Sequence, residues 1–360
     1  MPHHLPSPDR RRLLGLLASL PVLGRAGSAL AAAPSSVPAA EPPRLTDPMM
    51  LVPGPDGGPI DRWARLVQPA LAQSVAPGAV FRQEIVGGAD GVTAANQFET
   101  RGTLDGLTLL MTPGEAALAW LVGDPRAKFD VSRWVAVAVG IAPAVVVGRA
   151  NALAAGRPVR IAVTGLNGPD LSAVLGIELL GARAEPVLLG DADAVRRGFA
   201  SGRIDAALLR GHRVPEQVKA FVPAGGQPLF ALGIPGEVGQ FLPVPAFPGV
   251  PTLHALYRMS RHAAPAGPLF AAWSAAAVAA QLEFGLVLPE LTPAPMVSLW
   301  RQAGVQAMAA LDIQQLAVRV GVRPISGPAA TACGDLWSPR APALLALRQW
   351  LAERYNWRPA

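Results

Sequence analysis

Short apolar runs alternate with stretches of helical period along most of this chain. Met49-Met50-Leu51-Val52 reads as a strand, and Ile60 to Leu71 as the helix that follows it. Further strands are expected at Leu107 to Met111, Val135 to Val139, Ala144 to Val147, Arg160 to Val163, Pro186 to Leu189, Ala206 to Leu209 and Pro228 to Leu232. Helical segments fall between them, among them 170 to 180 and 192 to 200. Such alternation is the pattern of α/β units built on largely parallel sheets. No repeat of fixed period interrupts it. Proline is dense from 243 to 251 and from 289 to 295, as expected of linker or crossover segments between lobes.

One apolar run stands apart from this alternation. Asp9-Arg10-Arg11-Arg12-Leu13-Leu14 opens a stretch that continues to Leu23 and gives way to Ala29-Leu30-Ala31-Ala32-Ala33-Pro34. A basic start, a brief apolar centre and an Ala-x-Ala site make residues 1–33 a signal peptide. The run is shorter than the roughly 20 apolar residues a membrane span needs, so a soluble, periplasmic product is expected. Paired arginines shortly before Leu13-Leu14 have the twin-arginine export pattern, with an ordinary secretory signal as the alternative. No cysteine stands near the cleavage site, which disfavours a lipid anchor. Residues 34–43, rich in Pro, Ala and Ser, read as a flexible leader.

Charge changes the picture little. The 360 residues hold 31 basic and 25 acidic side chains. Removing residues 1–33 takes away four arginines and one aspartate, leaving 27 against 24 and a net charge of +3. The densest basic pieces, Arg196-Arg197 and Arg210-Gly211-His212-Arg213, read as solvated surface rather than a nucleic-acid footprint, so no nucleic-acid partner is expected. A single cysteine, Cys333, excludes an internal disulfide and a cysteine-rich zinc site. About 325 mature residues suit two domains. Enzyme motifs are missing: there is no Gly-x-Ser-x-Gly elbow and no His-Glu-x-x-His. His212, His254 and His262 lie far apart and read as surface or structural residues. Trp63, Trp120 and Trp134 read as packing residues rather than ligand stackers.

The chemistry concentrates where the first strand turns into its helix, at Pro53-Gly54-Pro55-Asp56-Gly57-Gly58-Pro59-Ile60-Asp61. Gly57 and Gly58 allow positive φ and a close approach of ligand to backbone. Pro59 suits the first helical position and Asp61 the first turn. The free N–H groups and the positive end of the helix dipole then offer a seat to a small anion. A purely structural tight turn is the competing reading. The Lys and Ser/Thr of a phosphate-binding loop are missing, so no nucleotide is expected.

Two further stretches join it: Gly88-Ala89-Asp90-Gly91-Val92-Thr93 and Asp105-Gly106-Leu107-Thr108-Leu109. With Pro53, Gly57, Gly58, Asp61, Ala64 and Arg65, they make the chain resemble the receptors of tripartite tricarboxylate transporters, the Bug family. Their first motif is Pro-aromatic-x-x-Gly-Gly-x-x-Asp-x-x-Ala-Arg, followed by Gly-Ala-x-Gly and Asp-Gly-Tyr-Thr-Leu. Pro248-Gly249-Val250-Pro251-Thr252-Leu253 and Phe284-Gly285-Leu286 are similar to later family motifs, so the likeness spans roughly residues 47 to 300. Beyond 300 it fades, with Leu351 to Trp357 expected as a terminal helix.

The resemblance implies a type II periplasmic-binding-protein fold, α/β, with two lobes, crossover strands and a ligand cleft. Lobe 1 is expected at 44–146 and about 265–360, and lobe 2 at 147–264. It implies a monomer without cofactor or metal that hands a small carboxylate to a membrane permease or sensor. The alternative is a receptor-fold interaction or sensing protein with an altered ligand site. The implied ligand contacts in lobe 1 are Pro53, Gly54, Pro55, Gly57, Gly58 and Asp61, with Gly88, Ala89, Asp90, Gly91 and Thr93. Those in lobe 2 are Thr164, Asn167, Asp170 and Gly190. Gly54 departs from the family by replacing an aromatic residue. Asn167 and Asp170 stand near the family's hydroxyl-bearing turn, and both Asp170 and Asp90 are open to a role at a helix start or at a ligand's ammonium or hydroxyl group.

Overall fold

The computed structural model describes residues 45–357, apart from 79, 102–104, 155 and 212. The expected signal peptide, the leader and His212 lie outside the described residues. The chain begins with β1 (Met49–Pro53), α1 (Pro59–Val75), β2 (Arg82–Val86), α2 (Val92–Arg101), β3 (Thr108–Thr112), α3 (Gly114–Val122) and β4 (Trp134–Ile141). After Ala142 and Pro143 come β5 (Ala144–Arg149), β6 (Val159–Val163), α4 (Leu171–Leu179), β7 (Ala184–Leu188), α5 (Ala192–Ala200), β8 (Ala206–Arg210), α6 (Val214–Phe221) and β9 (Gly226–Ala231). A small hairpin follows, β10 (Ile234–Pro235) and β11 (Phe241–Leu242), then α7 (Leu253–Arg261), α8 (Pro268–Gln281) and β12 (Leu282–Pro289). The chain closes with α9 (Ala294–Met308), α10 (Leu311–Val320), β13 (Arg323–Ser326), α11 (Gly327–Trp337) and α12 (Ala341–Tyr355).

These strands form a six-stranded sheet of order β13-β4-β12-β3-β1-β2 and a five-stranded sheet of order β7-β6-β8-β5-β9. Among the strand pairs of the described residues, β1 with β2 and β3, and β6 with β7 and β8, are parallel, and an isolated parallel bridge links Ala231 to Thr252. The remaining pairs of the two sheets are antiparallel, so the expectation of largely parallel sheets is corrected to mixed ones. The reason is the passage between sheets. β4 and β5 are joined by two residues and belong to different sheets, and β12 returns beside β4 from Leu282↔Ile141 to Pro289↔Trp134. A strand that crosses over and one that comes back must run in opposite directions.

Helix α8 is the spine of this arrangement. Its sequence Phe-Ala-Ala-Trp-Ser-Ala-Ala-Ala-Val-Ala-Ala-Gln is buried almost throughout, because small side chains let neighbouring elements approach its backbone. A Cβ on Gly114, which opens α3, would stand 1.8 Å from the Ala279 carbonyl oxygen. Trp273, fully buried, donates its indole N–H to the Ser172 carbonyl of α4 at 3.0 Å. Elements of both sheets are thereby tied to one helix.

Trp63, Trp120 and Trp134 are buried, as expected of packing residues, with Trp63 against Phe284 at 4.9 Å between ring centroids. Cys333 is fully buried, and burial pushes its thiol up to about 12. The proline-dense segment 289–295 does not run between the sheets. It turns β12 directly into α9, with Pro293 preceding the first helical residue. Among the described residues, no helix is long and apolar enough to cross a membrane.

Candidate functional site

β1 ends at Pro53, and residues 54–58 turn the chain into α1. Gly54 sits at φ +95°, a backbone conformation closed to an aromatic side chain, which accounts for glycine where the resembling family carries one. The Gly58 N–H closes the turn on the Pro55 carbonyl at 2.9 Å. The first helical bond of α1 runs from the Arg62 N–H to the Gly58 carbonyl, leaving the Ile60 and Asp61 N–H groups at the helix mouth without a helical acceptor. Asp61 does not face that mouth. It is fully buried, and its carboxylate accepts from the Gly57 N–H at 2.7 Å, Arg65 Nε at 2.8 Å and Gln83 Nε2 at 2.5 Å. Burial would push this carboxyl up, but those donors outweigh it and hold it below the usual range. Asp61 fixes the loop from behind.

The loop after β2 works similarly. Asp90 Oδ1 accepts from the Val92 N–H at 3.2 Å at the start of α2, and Oδ2 accepts from Arg126 at 2.9 Å. Arg126 also forks onto Asp124, and with the Arg126 bonds as the main cause the Asp124 carboxyl lies below its ordinary range. Asn167, from the five-stranded sheet's side, adds a smaller contribution in the same direction. A third strand-to-helix turn, Thr112-Pro113-Gly114-Glu115, packs onto the second: a Cβ on Gly91 would lie 2.6 Å from Pro113 Cδ.

The first and third turns enclose a cavity of about 240 Å³ with Ala89, Leu282, Glu283 and Arg210. Of the residues expected to bind ligand, it gathers Pro53, Gly54, Pro55, Gly58 and Ala89. Gly57, Asp61, Gly88, Asp90, Gly91 and Thr93 do not line it. Sequence reasoning missed Pro113, Glu115 and Arg210. The signal for the first two was another strand, Pro-Gly turn and helix start, at Leu109 to Glu115. Arg210 was read as solvated surface. It stands at the carboxyl end of β8, the edge where open α/β sheets bind ligands. Its guanidinium pairs with Glu115 and donates to the Ala280 carbonyl at 3.2 Å.

On the other side, Thr164, Asp170 and Gly190 line a second hollow, of about 370 Å³, which also reaches Arg210. Asn167 does not line it. Asp170 directly precedes α4, yet its side chain does not cap that helix. One oxygen instead accepts from the Thr164 N–H at 2.8 Å and the Thr164 hydroxyl at 3.0 Å. Burial pushes the Asp170 carboxyl up, with the Thr164 bonds and Arg210 opposing it. A raised carboxylate contributes stability that is fully present below its unfolded pKa and lost as pH rises through the folded one. Asp170→Asn keeps an acceptor for both Thr164 bonds and removes the half-buried charge. Its thermal midpoint at pH 7 should match or exceed the parent's by on the order of a degree, the difference closing towards pH 4. A lower midpoint for the variant at pH 7 would show that the charge itself holds the loop.

The helix starts of α1, α3, α4 and α5 thus line two hollows that share Arg210, and their dipoles give the region a positive bias. The acids Glu115, Asp170 and Asp191 sit at those same starts; Asp191 caps α5 by accepting from the Ala194 N–H at 2.7 Å. The groups this arrangement offers are backbone N–H groups at helix starts and one guanidinium, paired with Glu115. Among the described residues, no group of three or more His, Cys, Asp or Glu could hold a metal ion.

No family model matches the sequence, and no curated protein does. Solved structures do. The match to a TctC solute-binding protein from Polaromonas, crystallised without ligand, has 17% identity and a TM-score of 0.60, covering 84% of this chain and 98% of that one. MatC from Rhodopseudomonas palustris with bound malate aligns at 18% identity and a TM-score of 0.43, over 87% of this chain and 97% of that one. A second R. palustris protein, with adipate, aligns at 15% and 0.47, over 86% and 97%. The Polaromonas likeness carries the conclusion: two mixed sheets bridged by crossover strands, this chain has the fold of a TctC solute-binding protein.

Proposed function

We propose that this protein is a solute-binding receptor that closes on a small carboxylated solute and delivers it to a membrane permease, as tripartite tricarboxylate receptors do. The observation that carries the reading is the 240 Å³ cavity in which the N-terminus of α1, the N-terminus of α3 and Arg210 converge. A carboxylate there meets the Ile60 N–H group and the positive ends of two helices. Its neighbours Pro53, Gly54, Pro55, Gly58 and Ala89 form the wall, and Gly57, Asp61 and Asp90 hold the loops in place. Thr164 and Gly190 contribute from the other lobe. The lobes in this reading are 44–146 with about 265–360, and 147–264. The signal-type pattern of residues 1–33 supports action outside the cytoplasm, and bound malate and adipate in the two R. palustris proteins fit the solute class.

Acidic neighbours narrow the solute. Glu115 and Glu283 line the cavity and Asp170 the adjoining hollow. Two unit charges about 4 Å apart repel by roughly 4 kcal/mol at an effective dielectric of 20, more than one added hydrogen bond returns. A monocarboxylate should therefore bind more tightly than citrate. Tryptophan fluorescence titrated with mono-, di- and tricarboxylates tests this, and Arg210→Gln should weaken the preferred acid by about tenfold or more, as loss of one charged hydrogen-bond partner does. Binding of no carboxylate by the folded protein would leave a receptor fold with a sensing or interaction role, and citrate binding best would overturn the charge argument.

A further inference from the structure

The larger of the two hollows, about 370 Å³, has walls unlike those of an anion seat. It runs from the carboxyl ends of β6, β7 and β8 down between the sheet and helices α5 and α6. Val163, Leu189, Val195, Ala207, Leu209 and Phe221 line it. Of its polar rim, Asp170 is engaged with Thr164, Asp191 with the Ala194 N–H, Arg196 with Asp193 and Arg210 with Glu115, and Gln217 also lines it. Beyond that rim, a ligand group entering it would meet apolar wall. About 150 Å³ suffices for a benzene ring, so the hollow has room for one. Arg210 lines both hollows, so a carboxylate seated at α1 and a group in the apolar hollow would have it as a common neighbour.

We infer that the ligand is a monocarboxylate with an apolar tail, an aryl group or a chain of about six to eight carbons, whose head sits at α1 and whose tail enters this hollow past Arg210. The inference rests on the receptor reading, which supplies the head site. The tail is what separates one carboxylate from another, because the backbone N–H groups at the head read only charge.

Calorimetric titration of the full chain with straight-chain monocarboxylates from propanoate to octanoate, and with 3-phenylpropanoate, tests it. Affinity should rise about fourfold with each added methylene until the hollow is full. Val195→Phe fills the hollow from α5 and should bring octanoate down to the affinity of butanoate. Ala192→Leu, on an exposed position at the mouth, should act in the same direction if the phenylalanine disturbs packing. Gly58→Val should weaken every acid in the series alike. Short and long acids binding equally to the parent protein would overturn the tail site and leave the receptor reading standing. Folded Val195→Phe and Ala192→Leu proteins that both keep the preference for octanoate would place the tail elsewhere and overturn it too. Binding of none of these acids would take down both readings.

Discussion

Gly58→Val is expected to lower carboxylate affinity by about a hundredfold or more in a protein that still folds. The reason is contact rather than backbone angle. Gly58 lies at φ −66° and ψ 174°, extended geometry open to any residue. A Cβ there would stand 2.8 Å from the Pro55 carbonyl oxygen and 3.3 Å from Pro55 Cγ. Relief requires the turn to open, which breaks the Gly58 N–H bond to Pro55 and swings Pro53 to Pro55 out of the cavity wall. The Ile60 N–H group then loses its alignment, and one charge-assisted bond of roughly 1.5–3 kcal/mol together with the displaced wall accounts for the expected factor. Gly57→Val is a useful contrast. Gly57 does sit at positive φ, +73°, but has nothing within 4 Å of the added Cβ and does not line the cavity. Strain of about 1–3 kcal/mol would reach the ligand only by tilting the N–H that Asp61 holds, so the loss should be smaller. Calorimetry on both variants, with thermal melts as the folding control, measures the two effects. Parent-like affinity in folded Gly58→Val would remove the cavity from consideration as the head site.

The parts of the fold that escaped sequence reading share a physical cause. Central strands such as β3, buried at every residue, announce themselves as apolar runs. The two edge strands of the six-stranded sheet do not. β2 reads Arg-Gln-Glu-Ile-Val and β13 Arg-Pro-Ile-Ser, because an edge faces solvent and is protected by charge and proline. Without β2, the role of Gln83 behind Asp61 could not be seen either. Helix α5 has a cap, Asp191, and an amphipathic face, and its expected span of 192 to 200 matches the structure. Helix α12 begins ten residues before the terminal helix expected at Leu351 to Trp357, since the leucines and alanines from Ala341 onward carry no strong period.

The site was legible in its backbone and not in its side chains. A glycine-rich turn between strand and helix declares an anion seat through composition alone, and the first loop does line a cavity. Which side chains turn inward is a matter of tertiary position. Asp61 and Asp90 look like ligand contacts in a string of letters, yet Gly57, Gln83 and Arg126 had already claimed their oxygens. Arg210 shows the converse. Beside Gly211 and Arg213 it reads as a solvated charge, and only the sheet order, with β8 between β6 and β5, brings it to the cavity opposite Glu115.

Asp205 carries the largest expected effect on stability. It is 1% exposed, directly before β8, and takes two forked arginines: Arg157 at 2.9 and 3.0 Å, and Arg160 through Nε and Nη2, both at 2.9 Å. The Arg160 N–H adds a bond at 3.2 Å, and Arg149 Nε lies at 3.8 Å. Burial would push this carboxyl up, but the arginines outweigh it and hold it far below the usual range. The cluster joins β5, β6 and β8 at the end of the sheet away from Arg210. Asp205→Asn leaves three partly exposed guanidinium groups facing a neutral amide, and losing these charge-assisted bonds costs about 1.5–3 kcal/mol. A depressed carboxylate contributes stability that is present above its unfolded pKa, about 3.9, and lost as pH falls through the folded value. The gap between parent and variant should therefore be full at pH 7 and narrow as the pH drops below about 4. Denaturant unfolding at pH 7 and pH 3 measures it. Ligand affinity, taken where both proteins are folded, should change by less than about twofold, since additivity holds for distant sites. A gap under about 1 kcal/mol at pH 7, the range of an exposed ion pair, would mean that water rather than the carboxylate satisfies these arginines.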